Sequence, residues 1–313
     1  MKKKRIRIGT RSSELALWQA DFVAQKLRAR YPELEVEEIR IKTKGDKILD
    51  APLAKIGGKG LFTKELEQAM LDGSIDLAVH SLKDVPTALP DGLTLGAITK
   101  RSYAGDVLVS ERYGSFAELP QGAKVGTSSL RRKAQLLHER PDLQIVSLRG
   151  NVNSRLRKMH DEGFDAIVLA EAGMQRLDKG AQITEKLPMR WILPAVGQGA
   201  LAVETRAKDE EMLDLLAFLN DADMAAAARA ERAFLARVEG GCQVPVGVYG
   251  TAEGDALRIE AVIASLDGAR LYRAAAEGSR EDAESLGTDL ADKLLDAGGI
   301  AILHELGLLL DRN

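Results

Sequence analysis

The sequence predicts an α/β protein of two related lobes followed by a small α+β domain. Two observations carry that expectation: a strand–turn–helix unit that occurs twice, and a change of pattern after Asn220. The first copy reads Arg-Ile-Arg-Ile-Gly-Thr-Arg-Ser-Ser-Glu-Leu-Ala-Leu-Trp-Gln over residues 5–19. The second reads Lys-Val-Gly-Thr-Ser-Ser-Leu-Arg-Arg-Lys-Ala-Gln-Leu-Leu over 124–137. Each places Gly-Thr and a serine pair between a β-rich stretch and a helical pattern. Leu15, Trp18 and Phe22 recur at helical spacing in the first, and Leu130, Ala134 and Leu137 in the second. The serines suit N-caps, and the exposed N–H groups of such a helix start attract anions.

A second matched pair supports the repeat. Residues 72–79, Asp-Gly-Ser-Ile-Asp-Leu-Ala-Val, parallel residues 162–168, Glu-Gly-Phe-Asp-Ala-Ile-Val. Each reads as a helix end, a glycine stop and a buried parallel strand. The spacing from Gly9 to Asp76 is 67 residues, whereas Gly126 to Asp165 is 39. The excess in the first lobe points to Lys42–Gly60, rich in Lys and Gly and without periodicity, as a mobile lid. Ala200–Glu204 reads as a strand returning to the first lobe. The expected division is therefore lobe 1 over 1–100 plus 195–218, lobe 2 over 101–194, and an α+β domain over 220–313. That last part holds an Ala-rich helix at 222–238, short strands near 244–249, 257–265 and 270–276, and a helix at about 281–296. The turn Asp267-Gly268 joins one strand pair.

Composition excludes several function classes. With 45% hydrophobic and 29% charged residues, the chain reads as an ordinary globular protein. No apolar run approaches the roughly 20 residues that span a bilayer. The basic start runs straight into a strand and lacks an export signal, so a cytoplasmic location is expected. Cys242 is the single cysteine, which forbids an internal disulfide and agrees with a reducing compartment. The four histidines share no metal-ligand spacing, so no metal is expected. Aromatics form 4% of the chain and none interleaves with basic residues, which argues against nucleic acid.

The chemistry-bearing residues gather at strand ends, where open α/β sheets bind ligands. Arg131, Arg132 and Lys133 occupy the first turn of their helix, where the macrodipole disfavours cations. Arg155, Arg157 and Lys158 lie similarly near a helix start. Together with Arg11, Lys83 and Arg149 they point to a polycarboxylate or phosphate ligand rather than a solvated basic face. Asp84 follows a strand over Ile75–Val79 and can hold N–H groups or stabilise a developing cation. Cys242 follows Gly240-Gly241 and precedes Pro245, a poor setting for core packing and a good one for an accessible thiol.

These segments together closely resemble the porphobilinogen deaminase (hydroxymethylbilane synthase) family over nearly the whole chain. The matching pieces are Gly9–Ser13, Lys55–Phe62, His80–Pro86, Val125–Arg132, Ser147–Val152, Leu193–Gly199 and Glu231–Phe234 leading to Glu239–Pro245. The resemblance implies two periplasmic-binding-protein-like α/β lobes and a dipyrromethane cofactor held by a thioether to Cys242. It further implies stepwise addition of four porphobilinogens with loss of ammonia, then hydrolytic release of linear hydroxymethylbilane for haem biosynthesis. By that resemblance Asp84 is catalytic, and Lys83, Thr127, Ser129, Arg131 and Arg132 bind the cofactor. Arg11, Ser13, Arg149 and Arg155 bind substrate carboxylates, and Lys55 and Lys59 belong to the lid. The family expectation is a monomer acting on the small molecule porphobilinogen, with no nucleic-acid or membrane partner. Where family members carry an Asp-Pro-Arg-Asp-like stretch, this chain has Tyr103-Ala104-Gly105-Asp106, so hinge stiffness there is not implied. The rival reading is a non-catalytic two-lobed solute-binding or effector-sensing module, which gives Cys242 no role.

Overall fold

The structure is a computed structural model that describes residues 3–47, 60–238 and 244–307. Lys55, Lys59, Cys242 and most of the expected lid lie outside the described residues. The chain divides into two compact units, Met1–Ser102 with Ala200–Ala225 and Tyr103–Gly199 with Ala226–Asn313.

In the first unit, β1 (Arg5–Thr10), β2 (Glu35–Arg40), β3 (Leu77–Ser81), β4 (Leu93–Ile98) and β10 (Leu201–Arg206) form one sheet in the order β2-β1-β3-β10-β4. β1 runs parallel to β2 and β3, while β10 is antiparallel to β3 and β4. Helix α1 (Glu14–Arg30) packs Ala20, Val23 and Leu27 against Ile6, Ile8 and Val203. Helix α2 (Lys64–Leu71) packs Leu66 and Met70 against Ile75 and Ala78. The expected α1 forms, but its buried face differs from the one read from its large residues. Ala16, Ala20, Val23, Ala24 and Leu27 face inward, while Trp18 is exposed and stacks on Phe22 at 5.4 Å. Alanines let the helix approach the sheet closely, so the small residues mark the core side.

The second unit repeats this plan. Strands β5 (Asp106–Val109), β6 (Lys124–Gly126), β7 (Gln144–Val146), β8 (Ala166–Ala170) and β9 (Glu185–Lys186) lie in the order β7-β6-β8-β5-β9. β6 is parallel to β7 and β8, and β5 is antiparallel to β8 and β9. The repeated residues have matched structural duties. A Cβ on Gly9 would lie 2.3 Å from Ile75 Cδ1, and one on Gly126 would lie 2.9 Å from Leu148 Cδ2. Asp76 accepts from the Arg7 backbone N–H at 2.9 Å, and Asp165 accepts from that of Lys124 at 2.7 Å. Each aspartate thus pins the start of its strand to the neighbouring one. Helices α3 (Leu130–Glu139), α4 (Val152–Asp161) and α5 (Glu171–Arg176) follow β6, β7 and β8.

The same unit contains the three-stranded antiparallel sheet β11 (Val246–Glu253), β12 (Ala256–Ala264) and β13 (Leu271–Ser279). In chain order α6 (Glu210–Leu216) belongs to the first unit, and α7 (Ala222–Arg237) and α8 (Ala283–Leu294) flank the three-stranded sheet in sequence. Phe234, Val248, Ile259 and Leu290 share its core. The fold class is thus α/β with two related sheets and a small α+β part. Among the described residues, no helix is long and apolar enough to cross a membrane.

Candidate active site

In the first unit, the turn after β3 is a short 3-10 helix, Leu82–Asp84. Leu82 and Val85 are buried and anchor it, leaving Asp84 exposed and Lys83 half-buried. Gln19 of α1 donates to Ser81 Oγ at 2.7 Å, fixing the strand end. Asp84 shares a cavity with Arg11, Gln19, Phe62, His80 and Ser81. The Arg11 guanidinium sits 4.2 Å from the centre of the Phe62 ring, which orients the charge. Ser13 is the N-cap of α1 and accepts from Ala16 N at 3.3 Å.

In the second unit, Ser129 caps α3 by accepting from Arg132 N, and Thr127 Oγ1 accepts from Ser129 N at 3.2 Å. Ser128 donates to Leu148 O at 2.8 Å, joining the loops that follow β6 and β7. Asn151 caps α4, and Arg155 Nε donates to Gly150 O at 2.7 Å. Arg149 is half-buried and its Nη1 has no hydrogen-bond partner among the described residues. A buried guanidinium N–H without an acceptor is costly, and a ligand carboxylate would satisfy it.

Arg131 and Arg132 answer the helix-dipole question differently from the sequence expectation. Both are buried, and the anion between them belongs to the protein itself. Arg131 Nη1 donates to Asp106 Oδ2 at 2.7 Å and Arg132 Nη2 to Asp106 Oδ1 at 2.8 Å. Burial alone would push the Asp106 carboxyl up; the charges of Arg131 and Arg132 outweigh it and hold the group well below the usual carboxylate range. Arg131 also donates to Leu193 O at 2.6 Å, and Arg132 to Val168 O at 2.9 Å. Only Arg132 Nε is left buried without a partner among the described atoms of these two residues.

Sequence reasoning missed Asp106 as a partner, although it stands in the stretch singled out as atypical. It also missed what the Val-Gly-Gln-Gly segment does. Gln198 Nε2 donates to Ala104 O at 2.6 Å and to Asp106 Oδ1 at 2.9 Å, completing the buried carboxylate's shell. Glu231, fully buried, accepts from Gly197 N at 2.6 Å and Gly250 N at 2.7 Å. It thereby fastens that segment to β11. The signal was present in a charged residue on the buried stripe of an Ala-rich helix, which demands internal partners.

Residues 6–214 match the family described as porphobilinogen deaminase, dipyromethane cofactor binding domain. Residues 225–296 match the porphobilinogen deaminase C-terminal domain. The chain is 55% identical over 306 residues to the porphobilinogen deaminase of Trichlorobacter lovleyi, covering 98% of each chain. It is 54% identical over 306 residues to that of Geobacter metallireducens, covering 98% of this chain and 96% of the relative. The porphobilinogen deaminase of Syntrophotalea carbinolica is 54% identical over 308 residues, with 98% of each covered. Among solved structures, the methionine binding protein MetQ is similar at a TM-score of 0.45 and 15% identity, over 69% of this chain and 89% of that one. The two domain matches run in the family's order, and the identities hold from one end of the chain to the other. The chain belongs to the porphobilinogen deaminase family.

Proposed function

We propose that the chain condenses four porphobilinogen molecules head to tail, with loss of ammonia, on a dipyrromethane joined to Cys242, and releases linear hydroxymethylbilane by hydrolysis. The observation that carries the reading is Asp84: an exposed carboxylate on a well-anchored turn, in a cavity shared with Arg11. Relatives matched along their whole length and bearing the deaminase name leave the solute-binding alternative without support.

The cofactor fits the residues present. Each pyrrole carries an acetate and a propionate, and the N–H groups of Arg149 and Arg132 that lack a partner among the described residues suit acceptors of that kind. Lys83, Thr127, Ser129, Arg131 and Arg132 would hold it, the last two with Asp106 fixing their rotamers. When bound, dipyrromethane supplies the nucleophilic pyrrole carbon and the covalent tether. Arg11, Ser13, Arg149 and Arg155 pair with substrate carboxylates, and bidentate arginine pairs orient as well as attract. In the deamination step the aminomethyl C–N bond of porphobilinogen breaks and nitrogen leaves with the bonding pair. Asp84 accepts from the pyrrole N–H and stabilises the positive charge left behind, an effect of about 3–4 kcal/mol in a preorganised site. The lid expected from the sequence, with Lys55 and Lys59, lies outside the described residues. The reading further takes the protein to be a cytoplasmic monomer without nucleic-acid or membrane partners.

The experiment is an intact mass of the denatured protein beside a porphobilinogen turnover assay. The purified chain should be heavier than its sequence by one dipyrromethane, and Cys242→Ser should lose both adduct and turnover. Active protein of unmodified mass overturns the cofactor assignment; the same adduct on Cys242→Ser moves the attachment elsewhere.

A further inference from the structure

Beneath the Asp84 cavity lies a buried group of titratable side chains that the mechanism above does not use. His80 on β3 and Glu204 on β10 point to one face of the sheet, because Ala202 pairs with His80 and Glu204 with Ala78. Their side chains meet at 3.0 Å between His80 Nε2 and Glu204 Oε2. Glu67 comes from α2, the helix that covers this face. All three are more than nine-tenths buried: Glu204 is 0% exposed, and Glu67 and His80 are each 6% exposed.

This arrangement has too few hydrogen-bond donors for two ionised carboxylates. Glu67 Oε1 and Glu204 Oε1 are both buried without a hydrogen-bond partner among the described residues. Two uncompensated carboxylate oxygens in one dry layer would be expensive. Among the described residues, no group of His, Cys, Asp or Glu is arranged to hold a metal ion, so a metal does not relieve them. A proton does. The charged and titratable neighbours of Glu67 are Glu204 from β10, His80 from β3 and Lys64 from its own helix. Burial pushes the Glu67 carboxyl up and the charge of Glu204 adds to that; the Thr63 hydroxyl, His80 and Lys64 pull the other way without reversing it.

The group also connects two openings. His80 lines the cavity that holds Asp84 and Arg11. Glu67 lines a second depression, with Gly60, Lys64, Pro86 and Pro90. We propose that Glu67, Glu204 and His80 form a proton-holding relay between these two openings, the two carboxyls sharing one proton in the resting protein. The inference rests on the function proposed above for its use: each condensation frees one proton as the new C–C bond forms, while the departing ammonia takes one up. The two events are balanced overall but separated in time. A relay behind the strand lends and recovers the proton between them. Its three members act through the cavity's contents and are positioning residues, not groups placed on the substrate.

The test has one arm that needs neither cofactor nor turnover. Infrared spectra of the resting protein at neutral pH should contain the C=O band of a protonated carboxyl. Glu67→Gln should lose it, whereas Glu139→Gln, on the exposed end of α3, should keep it. The second arm is the pH profile of turnover. Glu67→Gln should shift its acid limb by about one pH unit with KM unchanged, since the relay then has one proton-holding carboxyl fewer. Glu204→Gln, which keeps the side chain's shape, should shift the same limb. No protonated-carboxyl band, or a band that survives in both Gln variants, overturns the proposal. A band lost in Glu67→Gln with an unchanged pH profile overturns the relay as well. A wild-type protein with the band but no turnover of porphobilinogen instead overturns the proposed function.

Discussion

Asp106 balances two guanidinium groups on one buried carboxylate, so its removal leaves two cations without their counter-charge. Breaking one side of a buried ion pair typically costs about 3–5 kcal/mol. Asp106→Asn should lower unfolding stability by about that amount in urea titrations at neutral pH. The folded carboxyl lies below its unfolded value, so its contribution is present above the ordinary carboxylate range and is lost as pH falls through the folded value. The gap between wild type and Asp106→Asn should hold from neutral pH down to that range and close only in strong acid. A loss under about 1 kcal/mol, the scale of an exposed pair, would mean that the site is wetter than its burial indicates. Arg149 makes the opposite case, a guanidinium short of an acceptor among the described residues. Arg149→Leu should therefore fold normally and keep the Cys242 adduct, yet stall chain elongation when covalent intermediates are counted by mass. Full turnover in that variant removes Arg149 from the substrate site. Sequence could nominate both arginine sets because their placement at helix starts is unfavourable without an anion. It could not say which anion, because the distinction between Asp106 and a ligand depends on which strand lies beside the helix.

The elements carry functional residues by means of contacts made at their far ends. Helix α3 begins at its Ser129 cap and ends beside the turn between β12 and β13. There Gly268 O lies 2.8 Å from His138 Nδ1. Gly268 has φ of 73°, and a Cβ on it would lie 2.4 Å from His138 N. Gly268→Ala must therefore lift the turn off the helix as well as strain the backbone. Gly254 separates the two effects, for its φ is 56° but a Cβ there would meet nothing within 4 Å. Gly254→Ala should cost about 1 kcal/mol, the backbone term alone. Gly268→Ala should cost about 2–3 kcal/mol and speed hydrogen exchange in the last turn of α3. Equal losses in the two variants would show that the docked turn contributes nothing. Asp267-Gly268 was readable as a hairpin turn from its dipeptide alone. Its seat on α3 was not, since no local pattern encodes a contact across 130 residues. The capping serines were legible for the converse reason: a cap is satisfied within three residues of itself, as Ser13 and Ser129 are.

At the scale of the whole chain, each five-stranded sheet contains one strand from outside its own βαβ run. β10 follows the second lobe in sequence yet lies between β3 and β4, while β5 precedes β6 and lies between β8 and β9. The apolar run after Gly199 is enough to suggest a strand, but its antiparallel place inside a parallel sheet is a property of sheet order, which sequence pattern does not specify. That placement has an energetic consequence. Leu201 and Val203 are buried, Thr205 Oγ1 donates to Asp76 O at 2.9 Å, and Arg206 donates to Met70 O and Ile75 O at 2.8 and 2.7 Å. The first sheet therefore cannot be completed until the chain has passed through the second lobe. Proline in the middle of a sheet removes a ladder bond, which is why it is confined to edge strands and bulges. Val203 pairs with Val79 and Ala97, and Val107 of β5 pairs with Leu169 and Lys186. Peptide-resolved hydrogen exchange should find that Val203→Pro deprotects β3 and β4 while β6 and β8 stay protected. Val107→Pro should do the reverse, and should also free Arg131 and Arg132 from Asp106 at the head of the same strand. If either substitution deprotects both sheets together, the two units unfold as one cooperative body. If neither deprotects its own sheet, the inserted strand is dispensable to the lobe that holds it.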